Sequence, residues 1–568
     1  MNTQRATGKA RVTIPAWLCL TFVLGCRVDT TLVPEQSGMQ TAHAGQRLGT
    51  SVPQTLDEEF ARIADQVPGF GGAFYDSTGV LTVVLKDASA LQQTQPKVLA
   101  LLDNGVRMEQ ARRTKILSDV SGMRVRQGTH DSRELLTWYR GHVAPAAQGF
   151  DGLTMTDIDE RKNRIVVGVR DPALVDKMRE FLGGLDVPAG ALEVLWFPAV
   201  ERASSPVSRA FLAAKLPPPH SLSAVIRPAV GGLKVTSYVT PFAYPCTLGF
   251  NVVARINGVL QADRYFVTAS HCAPPQATMN GVSTAQPQAQ SWIGAELVDP
   301  AWKTYPSDPY CLQGRLCRYS DASLFKYSAP GDAAHGLIAL PPVGSTSYYA
   351  ATTVIDLLGA FVGWPAHMIG QASGHASGTI QNSCVDLIPY EGGQPTDITL
   401  WCQGMANYGH QNNDSGSPVI EPVGDGLSAY LLGVHWGGQS NSPFYGLFSP
   451  ISGVMGELAE AAPSLGELDP TAPQPPPPPP PPSAIISGKS VVRPGNPCTW
   501  TASVSNGVAP FGYTWYQNSI QIATGTLQVT ASFSQNGAIQ FKVIDSLGRW
   551  DYETKSVTVS PTAPLCLF

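Results

Sequence analysis

The rhythm of apolar and polar positions changes along the chain. From Leu56 to Val67 apolar residues recur every three or four positions, which predicts an amphipathic helix. Ala73–Tyr75 and Val80–Leu85 flank the polar Asp76-Ser-Thr-Gly79, which predicts a hairpin of apolar strands. Val106–Leu117 and Ser132–His142 have helical spacing. The turn-like Asp159-Glu-Arg-Lys-Asn163 leads into a strand at Arg164–Val169. Pro172–Leu185 reads as a helix with proline near its first position, and Leu192–Phe197 as a strand. Residues 51–205 are thus expected to form an α+β region without cysteine, after a polar, non-periodic tether at 27–50.

Residues 206–222 look like a junction around Pro217-Pro-Pro-His220. From about Ser223 the pattern becomes short strands between Gly, Pro and Ser turns, and no long amphipathic helix follows until Val454–Ala461. That predicts an all-β barrel or sandwich over 223–463. Residues 464–483 include eight consecutive prolines from Pro475, a stiff spacer of about 3.1 Å per residue. Beyond it, 484–568 alternate in Thr499–Ser503, Gly512–Tyr516, Leu527–Ala531, Ile539–Val543 and Lys555–Val559, with a central Trp515. This spacing predicts a β-sandwich.

Composition narrows the classes. The 568 residues leave room for about two to four domains. Only 14% are charged, the net charge is −5 and there is no long basic run, which argues against nucleic-acid binding. Arg5, Lys9 and Arg11 precede the apolar Val12–Gly25, which reads as an export signal over residues 1–26. Beyond it no apolar run of about 20 residues occurs, so no further membrane span is expected. Val23-Leu-Gly-Cys26 resembles the lipobox of bacterial lipoproteins, which implies a lipid on Cys26; the alternative is a cleaved signal followed by a free cysteine. Eight cysteines remain, and an exported chain permits disulfides. There is no CxxC pair, and neither a metal nor another cofactor is expected.

Three segments carry chemistry. Tyr265-Phe-Val-Thr-Ala-Ser-His271-Cys272, Tyr319-Ser-Asp321-Ala-Ser-Leu-Phe325 and Asn413-Asp-Ser415-Gly-Ser-Pro-Val419 resemble, in this order, the histidine, aspartate and nucleophile segments of chymotrypsin-like serine proteases. The resemblance covers about 223–463 and implies a double β-barrel with Ser415 as nucleophile, His271 as general base and Asp321 as its orienting partner. It implies an oxyanion hole from the backbone N–H groups of Asn413 and Ser415. The family has glycine where Asn413 stands, and asparagine tolerates positive φ better than most residues. It also implies a buried pair for Asp414, with Arg227 or a freed N-terminus as the cation.

The same resemblance pairs Cys246 with Cys272, Cys311 with Cys317 and Cys384 with Cys402, leaving Cys498 and Cys566 for the last region. Gly409 stands where trypsin-like enzymes carry an Asp that reads basic side chains, which disfavours that specificity. Gly433-Val-His435-Trp436-Gly437-Gly438 is similar to the pocket wall of bacterial glutamyl endopeptidases. That similarity implies an acidic side chain at the cleavage position, met by His435 with His410 as a second donor. The alternative is that His435 is packed, or bonded to Asp321, and says nothing of acidity. Trp436 and Gly437 would pair with an extended peptide.

Residues 51–205 resemble the pro-regions of bacterial secreted relatives, through Val67-Pro-Gly-Phe-Gly-Gly72 to Leu85 and the Asp159–Asn163 turn. This implies a zymogen whose N-terminal part assists folding and masks the site; the rival is a permanent binding or spacer domain. The last region looks like an immunoglobulin-like or polycystic-kidney-disease-like domain, for which a cell-surface, polysaccharide or protein ligand is implied. The expectation is an exported serine endopeptidase acting on proteins or peptides, secreted or lipid-anchored in a bacterial envelope. Its rival is an inactive homologue that binds surfaces, favoured by Asn413.

Overall fold

The structure is a computed structural model that describes residues 55–103, 110–202, 207–208, 221–424, 426–439, 445–471, 482–507, 509–546 and 550–566. The signal with Cys26, the 27–50 tether, most of the 206–222 junction and nearly all of the proline run lie outside the described residues.

The first helix, Leu56–Gln66, begins at a capping box in which Thr55 Oγ1 accepts from Glu58 N and Glu58 returns the bond to Thr55 N. Its buried stripe is Phe60, Ile63 and Ala64. The predicted hairpin forms from Phe70–Tyr75 and Leu81–Leu85, and Arg124–Gln127 joins it in parallel. Helix Leu91–Asp103 was not foreseen; Pro96 stands inside it, and its buried face is Thr94, Val98 and Leu102. The second of the predicted helices is described from Gln110 to Ser121, so it ends later than its pattern suggested. Ser132–Trp138 starts on another capping box, at Asp131, and continues as a wide turn through Val143. Strand Leu153–Asp159 returns antiparallel as Arg164–Val169, and Leu192–Trp196 adds in parallel after helix Val175–Leu182. The turn between the first two is held by Asp159, which accepts from Arg161 N and Lys162 N, with Asn163 at φ +55°.

The fold is predominantly β and built of several sheets. A nine-stranded sheet runs from Glu467–Asp469 through Phe250–Ile256, Val259–Thr268, Ser323–Tyr327 and Trp292–Val298 to Lys234–Val239 and Phe242–Thr247. Its interior packs Phe250, Phe266 and Phe325, the last two stacked at 5.0 Å. A sixteen-stranded sheet contains Pro365–Gly370, Gly374–Leu387, Ile398–Ala406, Pro418–Val423, Ser428–Gln439 and Tyr445–Pro450. Helix Ile451–Ala461 follows.

The 55–202 region shares that second sheet. Leu387 and Asp386 pair with Met155 and Thr156. The cores are also continuous: Phe60, Phe70 and Tyr75 lie in one cluster with Phe361, Trp364 and Met368. Arg112 packs its guanidinium 4.6 Å from the Trp364 ring and 4.7 Å from the Tyr430 ring while ion-paired to Glu421. Burying an aromatic or leucine side chain is worth about 1.5–3 kcal/mol, so several at one seam make it a core.

The last region comprises a three-stranded sheet (Ser483–Ser487, Cys498–Ser505, Gln528–Ala531) and a five-stranded sheet that includes Gly512–Gln517, Gly537–Ile544 and Trp550–Val559. Trp500, Trp515, Phe541 and Val543 form their common core. All five predicted strands are present. Strand Ile520–Thr524 was unforeseen; Ile520 and Ile522 alternate with Gln521 but stay exposed at this edge.

Candidate active site

His271 sits on a single turn, Ser270–Cys272, directly after strand Val259–Thr268. Cys272 is bonded to Cys246 on strand Phe242–Thr247 of the same sheet, tying that turn to it. Asp321 lies just before strand Ser323–Tyr327, which pairs with the strand leading to His271. Register therefore brings the two together. The His271 backbone N–H donates to Asp321 Oδ1 (3.1 Å), and His271 Nδ1 lies 2.7 Å from Asp321 Oδ2. A carboxylate only accepts, so the ring proton is on Nδ1 and Nε2 is left as the acceptor. Nε2 lies 2.8 Å from Ser415 Oγ. His271, Asp321 and Ser415 are all buried.

Asp321 is over-held. Its N–H donates to Ser449 Oγ (2.9 Å), and Gln276 Nε2 donates to Oδ1 (3.0 Å). Burial alone would raise its pKa; His271, with Arg202 and Arg318 further out, more than offsets this and holds the carboxyl well below the usual range. Asp321 stays ionised, as an orienting group must.

The loop carrying Ser415 has Asn413 at φ +80° and Gly416 at φ +90°. A Cβ on residue 416 would lie 2.1 Å from Thr268 Oγ1 and 2.2 Å from the Thr247 carbonyl, so only glycine fits. Asn413 adopts the left-handed backbone that asparagine tolerates. Its carbonyl accepts from Thr247 Oγ1 (3.1 Å). Of the two cations expected for Asp414, Arg227 is not its partner: it donates to Gln286 and lies 3.7 Å from Asp332. Asp414 Oδ1 accepts from Ala372 N (2.9 Å) and Ser373 N (3.1 Å), and Oδ2 from Gln411 N (2.8 Å). Burial pushes its pKa up and these donors pull it back. A turn of backbone amides thus does the work expected of a charged group.

The expected pocket residues gather beside Ser415. His410 and His435 have ring centroids 5.0 Å apart, and Tyr408, unforeseen, places its hydroxyl 3.2 Å from His435 Nδ1. His435 is therefore bonded to Tyr408, and Asp321 is not its partner. Burial pushes His410 down to about 4 and His435 well below its ordinary value, so both rings are neutral at pH 7. Space at Gly409 is open. Trp436 is fully buried, its Nε1 donating to Gln403 Oε1 (2.9 Å), and it faces the site through its carbonyl, 3.1 Å from Ser415 Oγ.

Gly437 and Gly438 are already paired. The two-residue strand Glu201–Arg202 runs antiparallel to them, Gly437 opposite Arg202 and Gly438 opposite Glu201. The approach is close: a Cβ on residue 437 would lie 2.3 Å from the Glu201 carbonyl. The Arg202 guanidinium ion-pairs with Glu391, and its Nε reaches to 3.8 Å from Asp321 Oδ2. Nothing in the sequence marks Arg202, because two residues are too short for any periodicity. Cys311–Cys317, Cys384–Cys402 and Cys498–Cys566 are also disulfide-bonded. Among the described residues no cluster of three or more His, Cys, Asp or Glu side chains has the arrangement of a metal site.

No family model and no curated protein matches the chain. Among solved structures, a glutamic-acid-specific serine protease that uses a histidine triad in substrate binding is similar at 20% identity and a TM-score of 0.29, over 42% of this chain and 98% of that one. Thermobifida fusca protease A is similar at 20% identity and 0.25, over 39% and 91%. Cellulomonas bogoriensis chymotrypsin is similar at 22% identity and 0.25, over 39% and 91%.

Proposed function

We propose that the chain is the latent form of an exported serine endopeptidase, with 51–205 as its pro-region, 223–463 as a double-barrelled catalytic domain and 484–568 as an appended sandwich. The observation that carries the reading is the line Asp321–His271–Ser415, closed at 2.7 and 2.8 Å. A serine hydroxyl needs a neighbouring base, and here an oriented imidazole faces it.

The steps follow from the atoms present. Ser415 Oγ bonds to the peptide carbonyl carbon as its proton passes to His271 Nε2. Asp321 stabilises the imidazolium, and the N–H groups of Asn413 and Ser415 take the oxyanion. The C–N bond breaks as His271 returns the proton to the leaving amine. Water then gives a proton to His271, attacks the acyl carbon and releases the acid and free Ser415. Asn413 supports activity, since its φ of +80° is the conformation such a loop requires.

His435, His410 and Tyr408 favour an acidic residue before the scissile bond. The two rings are held neutral by burial, and an arriving carboxylate supplies the charge that makes a proton on them favourable. Latency rests on Glu201–Arg202, which occupies the Gly437–Gly438 edge that an extended substrate would use. A ligand-binding role for the last region and a lipid on Cys26 belong to the same proposal. A fluorophosphonate tests it: label is expected on Ser415 once the chain is cut between about 200 and 226 and the 55–202 region has been separated from it, and none on Ser415→Ala. Persistent absence of label after that separation overturns the reading.

A further inference from the structure

Arg318 is one of the largest fully buried side chains, and it is charged. A guanidinium taken out of water costs several kcal/mol unless its donors are met. It ends strand Leu316–Arg318, three residues before Asp321. Nη1 donates to Asp299 Oδ1 (2.9 Å) and to Ser270 Oγ (3.3 Å), Nη2 donates to the Ala322 carbonyl (2.7 Å), and Nε lies 3.7 Å from Glu457 Oε2.

Two of these partners are immediate chain neighbours of His271 and Asp321. Ser270 immediately precedes His271, and Ala322 immediately follows Asp321. Each of the two carboxylates repeats the pattern. Asp299 Oδ2 accepts from Ser270 Oγ (3.0 Å). Glu457 accepts from Tyr319 N (2.7 Å), Ser320 N (2.9 Å) and Ser320 Oγ (2.6 Å). One guanidinium thus joins the histidine turn, the aspartate segment, the end of strand Trp292–Val298 and helix Ile451–Ala461.

We infer that Arg318, with Asp299 and Glu457, is the positioning group that fixes His271 against Asp321. The inference rests on the peptidase reading and adds to it the residues that set the triad's geometry. A purely structural ion network would meet the burial cost anywhere. This one spends five of its hydrogen bonds on the residues flanking His271 and Asp321, where a displacement of about 1 Å costs on the order of a hundredfold in rate. It also sets the local field. Arg318 lowers Asp321, and burial raises Asp299 and Glu457 while Arg318 pulls both back. The other charged or titratable groups facing His271 are Asp321, Arg202 and His435.

The test uses the full chain and two readouts. The first is the rate of fluorophosphonate labelling at Ser415 against pH, on chain cut between about 200 and 226 and freed of the 55–202 region. The second is the downfield proton resonance of His271 Nδ1–H, which needs no open groove. Ser270→Ala leaves the ion pairs intact and is expected to slow labelling about tenfold and broaden the resonance. Arg318→Lys keeps the charge but loses the fork, and is expected to slow labelling more than Ser270→Ala does. Asp299→Asn removes a negative charge and is expected to move the acid limb of labelling to lower pH by about half a unit. A merely structural network predicts altered melting with an unmoved acid limb. Labelling within twofold of wild type, an unmoved limb and an unchanged resonance in both Ser270→Ala and Asp299→Asn overturn the inference. A wild-type chain that shows the resonance yet never labels fails the peptidase reading alone, and the resonance in the variants still decides the role of Arg318.

Discussion

Arg202 reaches across from the N-terminal region and places its guanidinium Nε 3.8 Å from the carboxylate of Asp321, while its backbone pairs with Gly437. In the proposed reading the same short strand covers the edge a substrate would occupy; it adds a positive charge beside the carboxylate bonded to His271.

Removing that side chain should loosen the block. In the uncut chain, Arg202→Ala is expected to raise hydrolysis of a small ester about tenfold, because one buried ion pair and its packing are lost while the two-residue backbone pairing remains. Ester turnover before and after complete cleavage checks this. Equal basal rates in Arg202→Ala and wild type would show that the backbone alone does the blocking.

The catalytic assignments separate cleanly. Ser415→Ala and His271→Ala are each expected to lower kcat by at least about a thousandfold with KM little changed, whereas Ser417→Ala, whose hydroxyl donates to the Asp414 carbonyl, is expected to retain labelling. Active-site titration of the cut enzyme reads both.

Gly416 admits no side chain. Gly416→Ala combines φ +90° with contacts of 2.1 and 2.2 Å to Thr268 and Thr247, so a loss of about 3 kcal/mol or more in stability is expected. Thermal melting against wild type measures it, and an unchanged Tm would contradict the packing.

Acidity should govern attachment of the N-terminal region. At its seam with strand Gly374–Leu387, Asp157 accepts from Asn382 (2.6 Å), Glu160 from Ser383 (3.2 Å) and Asp386 from Tyr139 (2.6 Å). Burial first, and neighbouring carboxylates second, push Asp57 and Asp157 well up and Glu160 up to about 7; burial also raises Asp386. Arg140 and Arg161 only partly compensate. Docking therefore takes up protons. Attachment is strongest below the ordinary carboxylate range and weakens as pH climbs through about 7. Limited proteolysis at pH 5 and pH 8 should show faster loss of the 55–202 region at pH 8, and Glu160→Gln should flatten the difference.

The pocket makes the last prediction. Matched peptides with Glu and Gln before the scissile bond should differ about a hundredfold in kcat/KM, and His435→Ala should erase most of that difference. Because burial depresses both histidines, the preference for Glu should shrink as pH rises.

What could be read in advance was whatever is local in sequence. The segments around His271, Asp321 and Ser415 each carry their chemistry within a few residues, and the alternating strands of the last region follow directly from burial on one face. The unread parts depend on distant pairing. Arg202 lies 119 residues before Asp321, and no periodicity links them. Arg227 was one cation expected for Asp414 because a buried carboxylate is costly, yet in this chain the 371–373 turn supplies backbone N–H groups, which no side-chain pattern announces. Helix Leu91–Asp103 hid behind Pro96, whose missing donor normally ends a helix.

The ladder between Leu153–Asp159 and Gly374–Leu387 gives one more consequence. Severing the polypeptide after Arg202 would cut a covalent bond and leave that ladder, together with the aromatic seam around Phe60 and Phe361, untouched. Nicking and departure are then two separate events with two separate clocks. The first is set by whichever peptidase reaches the junction, and the second by how fast a shared sheet can be unzipped.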